Sequence, residues 1–113
     1  MPSDSPVDVV DRQIVAYNDG DVDAFVAEFD DDAVVAGFAD EEPMAVGESE
    51  IRALYGEQFD AFSPEVEILS RLSLGEYVVD HERVERDDGG AMEAIGVYRV
   101  VDGEIAGLWL ANE

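Results

Sequence analysis

Hydrophobic residues recur along this chain with two different periods, and the change from one to the other falls near Pro64. Before it, Val7, Val10, Ile14 and Tyr17 stand three or four positions apart, the spacing that places side chains on one face of a helix. The segment "NDGD" at 18–21 stops that run, because Asn18 and Gly20 are both suited to positive φ between two helices. Asp21 then offers an N-cap to a short second helix in which Val22, Phe25, Val26 and Phe29 share a face. "DDAVVAGFA" at 31–39 is apolar but short and interrupted by glycine, which predicts a strand. "ESEIRALYGEQFDAF" at 48–62 predicts a third helix through Ile51, Leu54, Tyr55, Gln58, Phe59 and Phe62, ended by Ser63 and Pro64.

After Pro64 the period becomes two. "EVEILSRLSLG" at 65–75 places Val66, Ile68, Ser70, Leu72 and Leu74 on one face of a strand. "EYVVDHERVER" and "AMEAIGVYRVV" read as two strands around the turn "DDGG", and "EIAGLWLAN" as a last strand entered through the tight turn "DG". Three helices interrupted by one strand, then four meandering strands, predict an α+β domain with the helices against the concave face of a curved sheet. At 113 residues, with no linker-like stretch, the chain is expected to be one domain over 1–113, with residues 1–6 a flexible lead-in.

Charge changes this picture most. There are 29 acidic residues against 6 basic ones, all arginine, for a formal net charge of −23, yet 47% of the chain is hydrophobic, enough to build a core. So many like charges repel one another at ordinary salt, and molar salt removes most of that repulsion by shortening the Debye length to about 3 Å. A cytoplasmic protein of a halophile is the reading this supports. A surface made for one basic partner would gather its acids in a block, whereas these recur in every segment. Nucleic acid and anionic membranes are disfavoured as partners on Coulombic grounds. With no cysteine, disulfides, thiolate nucleophiles and Cys-ligated metals are excluded. Neither a long apolar run nor a signal-peptide pattern is present, in keeping with the cytoplasmic reading.

Three stretches carry a resemblance to a known family: "YNDGDVDAFVAEFDDDAVV" at 17–35, "GESEIRALY" at 47–55 and the closing "YRVVDGEIAGLWL" at 98–110. In this order and spacing they resemble the nuclear-transport-factor-2-like superfamily, in its SnoaL-like and ketosteroid-isomerase-like branch. The resemblance implies a cone-shaped α+β barrel, its curved mixed or antiparallel sheet enclosing a mostly apolar cavity for a small hydrophobic molecule. It also implies a homodimer formed through the outer sheet face. Ketosteroid isomerases use an Asp base with a Tyr and a protonated Asp as oxyanion hole. The positions matching those three groups hold Gly37, Gln13 and Gly96, so steroid isomerisation by that mechanism is not expected.

The remaining chemistry rests on the lone histidine. If "DDGG" closes its hairpin symmetrically, His81 faces Gly96, Val79 faces Tyr98 and Arg83 faces Ala94, which puts His81, Arg83 and Tyr77 on the cavity side and Asp80 and Glu82 on the other. A three-residue loop with a bulge shifts the register by one and reverses this. On the symmetric register His81 is the acid-base candidate with Arg83 as its helper, and Tyr17, Tyr55, Tyr77 and Tyr98 are candidate ligand contacts. The same residues also read as packing and surface groups, so an isomerase, cyclase or hydrolase stands beside a non-catalytic binding protein or a dimerising module with a vestigial pocket. Asp80, Glu82 and Glu93 lie close enough in sequence register to suggest a hard cation, but in so acidic a chain such proximities arise by chance, and no metal site is expected. Without a phosphate loop, nucleophile elbow or dinucleotide fingerprint, no cofactor is expected.

Overall fold

The computed structural model describes residues 5–112. Helix α1, Pro6–Asp19, begins where Ser5 accepts a hydrogen bond from the Asp8 amide and Pro6 occupies the first turn; it ends at Gly20, whose φ of 67° is left-handed. Ser5 and Pro6 therefore belong to a capped helix rather than to the expected flexible lead-in, whose residues 1–4 lie outside those described. Helix α2, Val22–Ala27, carries the expected Asp21 cap, which accepts from the Ala24 amide. Asn18 corrects the sequence reading: it stays helical and reaches out as a clamp, its amide bonding both the carbonyl and the N–H of Val66 at 3.1 and 2.7 Å. Strand β1, Phe29–Gly37, and the two-residue β2, Ala45–Val46, lead into α3, Glu48–Phe62, which ends at a left-handed Ser63 before Pro64.

Strands β3 (Glu65–Leu74), β4 (Tyr77–Glu85), β5 (Ala91–Val101) and β6 (Glu104–Asn112) form the meander. The six strands lie in the order β2-β1-β6-β5-β4-β3, all antiparallel except β1 against β6, so the sheet is mixed and curved and leaves β2 and β3 as edges. The β5–β6 turn is the expected "DG" hairpin, with Asp102 and Gly103 at φ 52° and 81° and Val101 opposite Glu104. The helices cover the concave face. Buried Val9, Val10, Phe25, Ile51, Ile105 and Leu108 form the core between the two layers. Among the described residues no helix is long and apolar enough to cross a membrane.

Two irregularities set which side chains face inward. In β3, Ile68 pairs with Glu82 and Ser70 with His81, so Leu69 is an extra residue opposite no partner, a bulge that reverses parity. Val66 and Ile68 face the helices before it and Arg71 after it, while Leu72 and Leu74, 63% and 79% exposed, turn outward. The single alternating face expected from Val66 to Leu74 is thus split in two. At the β4–β5 turn, Arg86 N–H donates to the Gly90 carbonyl and Gly89 takes φ 89°, leaving a three-residue loop, Asp87–Gly89. His81 consequently pairs with Ile95, not Gly96, and Asp80 takes the place opposite Gly96.

Candidate functional site

Between the concave face and helices α1 and α3 lies a cavity of about 350 Å³. Its inner wall carries Tyr17, Tyr55 and Tyr98, with Leu108 beside them. Tyr17 and Tyr55 belong to an aromatic cluster with Phe25 and Phe59, at centroid distances from 4.5 to 6.3 Å, which fixes these rings by edge and tilted contacts. Helical spacing puts Gln13 and Tyr17 one turn apart on the inner face of α1, and strand parity puts Glu82 and Val84 inward from β4.

Glu82 is the unusual member of this wall. Only 6% of it is exposed, and its Oε2 atom has no hydrogen-bond partner; the same holds for Oε1 of Gln13, 4% exposed. Buried polar atoms are almost always partnered, by protein or by ordered water, so these two atoms in one cavity wall can each take a bond from a water or from a polar group of a bound molecule. Burial, reinforced by the charge of Asp80 and opposed by that of Arg71, pushes the Glu82 carboxyl up to about 7. Burial likewise raises the Tyr17, Tyr55 and Tyr98 phenols, and the Glu82 charge adds to the rise in each. Near neutral pH the cavity therefore holds three neutral phenols and a carboxyl that keeps its proton to higher pH than an exposed one would.

Behind Glu82 sits a buried ion pair. Asp80 is wholly inaccessible and accepts two bonds from Arg71, Nε to Oδ1 at 2.6 Å and Nη2 to Oδ2 at 2.9 Å, while Arg71 Nη1 reaches Asp11 of α1 at 2.6 Å. The bidentate geometry satisfies Asp80, and Arg71 opposes the shift at its neighbour Glu82. Gly96 pairs with Asp80 on the neighbouring strand, and a Cβ there would make ordinary contacts with the Tyr98 ring at 3.4 Å and Leu108 at 3.5 Å.

The register decides the fate of the sequence candidates. His81, Arg83 and Tyr77 lie on the outer face, away from the cavity, which corrects their expected inward placement; the cause is the three-residue loop. There His81 Nε2 meets Glu93 Oε1 at 2.7 Å, and Arg83 Nε donates to Glu85 at 3.1 Å. Arg99 joins Glu76 at 3.1 Å, away from Asp80, which is turned inward. Tyr17, Tyr55 and Tyr98 do line the cavity. The His81–Glu93 pair is 42% and 46% exposed, so His81→Ala is expected to cost no more than about 1 kcal/mol in urea denaturation and to leave ligand affinity in the cavity unchanged. A larger loss would show that the pair braces the sheet.

The sequence put Asp80 and Glu82 on the outer face and offered them only as cation ligands, offered Gln13 only as the replacement of a family tyrosine, and gave no role to Arg71. One signal was available: Gly89 stands where a three-residue loop needs a left-handed residue, and choosing that loop turns Glu82 inward. Among the described residues no cluster of three or more His, Asp or Glu side chains is arranged to hold a metal.

Comparison with known proteins bears on what this cavity belongs to. The family described as SnoaL-like domain matches residues 10–108. Comparison with curated proteins gives no match. Among solved structures, an uncharacterised cystatin fold protein from Novosphingobium aromaticivorans superposes with a TM-score of 0.85 at 23% identity, over 95% of this chain and 97% of that one. An epoxide hydrolase of the LEH-like kind from M. tuberculosis gives a TM-score of 0.83 at 19% identity, over 98% and 84% of the two chains. A putative polyketide cyclase from Sinorhizobium meliloti gives 0.80 at 24% identity, over 92% and 94%.

Proposed function

The chain belongs to the SnoaL-like domain family, and from that premise we propose that it performs cofactor-free acid–base chemistry on a small, largely apolar molecule, with Glu82 as the group that carries the proton. One observation carries the reading: the Glu82 carboxyl, buried and unpartnered at Oε2, in the wall of a cavity of about 350 Å³, a size that suits a small organic ligand. Neutral Glu82 donates its proton to a carbonyl or epoxide oxygen of the ligand. Tyr17, Tyr55 and Tyr98 supply hydrogen bonds to the oxygen as charge develops on it. The carboxylate then recovers a proton from carbon or from an attacking water, which covers isomerisation, cyclisation and hydrolysis alike. The similar structures named for an epoxide hydrolase and a polyketide cyclase are consistent with that range.

Binding without chemistry is the second reading, favoured by the glycines at 37 and 96, which leave Glu82 the only carboxylic acid among the described cavity-lining residues. One experiment separates the two. Small ketones, esters and epoxides are incubated with the protein in D₂O and salt and followed by NMR for exchange at carbon or ring opening. Turnover that disappears in Glu82→Gln supports the enzyme; ligand shifts without turnover leave a binding protein.

We further propose that two copies meet through the outer sheet face, in a salt-rich cytoplasm that screens their shared negative charge. Leu72, Val79, Val97, Trp109 and Ala36 stand side by side across five strands, an apolar row on the side away from the helices. Val97→Arg at the centre of this row is expected to convert a dimer into a monomer by light scattering in molar salt. A wild-type chain that is monomeric at high protein concentration removes this part of the proposal.

A further inference from the structure

We infer that the ligand is an organic acid, held with its carboxylate on Arg86 at the cavity mouth and its other polar end at Glu82 and Gln13 inside. This rests on the reading of Glu82 as the inner polar end of a ligand site. Only two of the described cavity-lining residues are acidic or basic, Glu82 and Arg86, and their charges are opposite. They share a face of one strand and its extension, four residues apart, which at ~3.3 Å per residue is ~13 Å. Between them the wall is apolar, with Val84, Met92 and Leu110. A cavity with a buried carboxyl at one end, an apolar middle and a cation at the other matches a molecule with a polar group at each end of an apolar body.

Arg86 is held for this place by several contacts. Its backbone closes the hairpin with Gly90 at 2.8 Å, and its guanidinium lies 4.8 Å above the Phe62 ring. The Asp87 amide donates to the Phe62 carbonyl at 2.9 Å, which ties the hairpin to the end of α3. Gly90 leaves the guanidinium room, since a Cβ there would come within 2.6 Å of Nη2. Among the described residues the one carboxylate paired with it, Asp88, stands 3.3 Å away and is half exposed, a weak bond that a ligand carboxylate in bidentate contact can replace. Each of the other five arginines is paired with carboxylates elsewhere, at Glu28, Asp23, Asp80, Glu85 and Glu76. An amine fits less well at the mouth, because Arg86 repels it there.

Straight-chain acids from hexanoic to dodecanoic, with the primary amide and primary amine of each, provide the probe in isothermal titration at moderate salt. The best acid is expected to bind about fivefold tighter than its amide, a gap suited to a half-exposed ion pair and narrowing as salt is raised. Arg86→Gln should erase the gap, and Arg99→Gln, on the outer face, should preserve it. Acids binding no better than amides, amines binding best, or no member of the series binding each overturn the inference. Equal binding of acids and amides together with Glu82-dependent turnover would sink this inference alone. An acid preference that depends on Arg86, with turnover indifferent to Glu82→Gln, would uphold it and sink the acid–base mechanism.

Discussion

Glu82→Gln is expected to slow any proton transfer run in the cavity about a hundredfold, and at the same time to stabilise the protein above neutral pH. The first effect follows from removing a positioned acid or base, typically a factor of 10² to 10⁴. The second follows from linkage. Glu82 is raised in the folded state from about 4.5 to about 7, chiefly by burial. Between those values the unfolded chain releases its proton and the folded chain keeps it, so rising pH favours unfolding. Glu82 costs nothing below the lower value, the cost accumulates between the two, and above the upper value it is complete at roughly 3 kcal/mol.

Glutamine has nearly the same shape and no charge, so it removes this dependence. The other carboxylates repel one another in both proteins and cancel in the comparison. Urea denaturation at fixed high salt should therefore give curves that separate progressively from about pH 5 to about pH 8, with the variant gaining. The reaction rate of the wild type should fall above about 7 if the neutral acid is the working form. Parallel stability curves would mean that Glu82 titrates as an ordinary surface carboxylate, and the mechanism would lose its central group.

Arg71→Ala should be the most destabilising single change, by about 3 to 5 kcal/mol. It leaves Asp80, fully buried, without the two bonds that compensate its charge, and it frees Asp11 from the contact that ties α1 to β3. Glu82 should respond as well. Arg71 is the charge that opposes its upward shift, so the rate profile of any reaction it serves should move to higher pH. Replacing both partners by apolar residues, Arg71→Leu with Asp80→Val, should recover most of the stability, because a buried pair gains little over good packing. A cost below about 1 kcal/mol for Arg71→Ala would show that water reaches Asp80.

The sequence by itself determined the local structure and much of the fold. The three helices follow from apolar spacing, the Asp21 cap and the Ser63–Pro64 stop, the last hairpin from Asp102–Gly103, and the family from three short motifs. It also placed Tyr17, Tyr55, Tyr98 and Gly96 toward the interior. These features depend on residues near in sequence, where propensity and turn chemistry act directly.

Which face of β4 meets the cavity was decided only by the tertiary structure. Alternation normally reveals the buried side of a strand, but here both sides of the sheet carry apolar residues: Val78, Ala94, Tyr98 and Leu108 within, Val79, Val97 and Trp109 without. Acids give no guidance either, since Asp80 and Glu82 are buried while the other described acids are half-buried or exposed. One extra residue at Leu69 and one left-handed glycine at 89 then set the parity, turning Arg71, Asp80 and Glu82 in and His81 out. A strand repeats every two residues, so a register step of one exchanges its faces completely, and the site's chemistry goes with it.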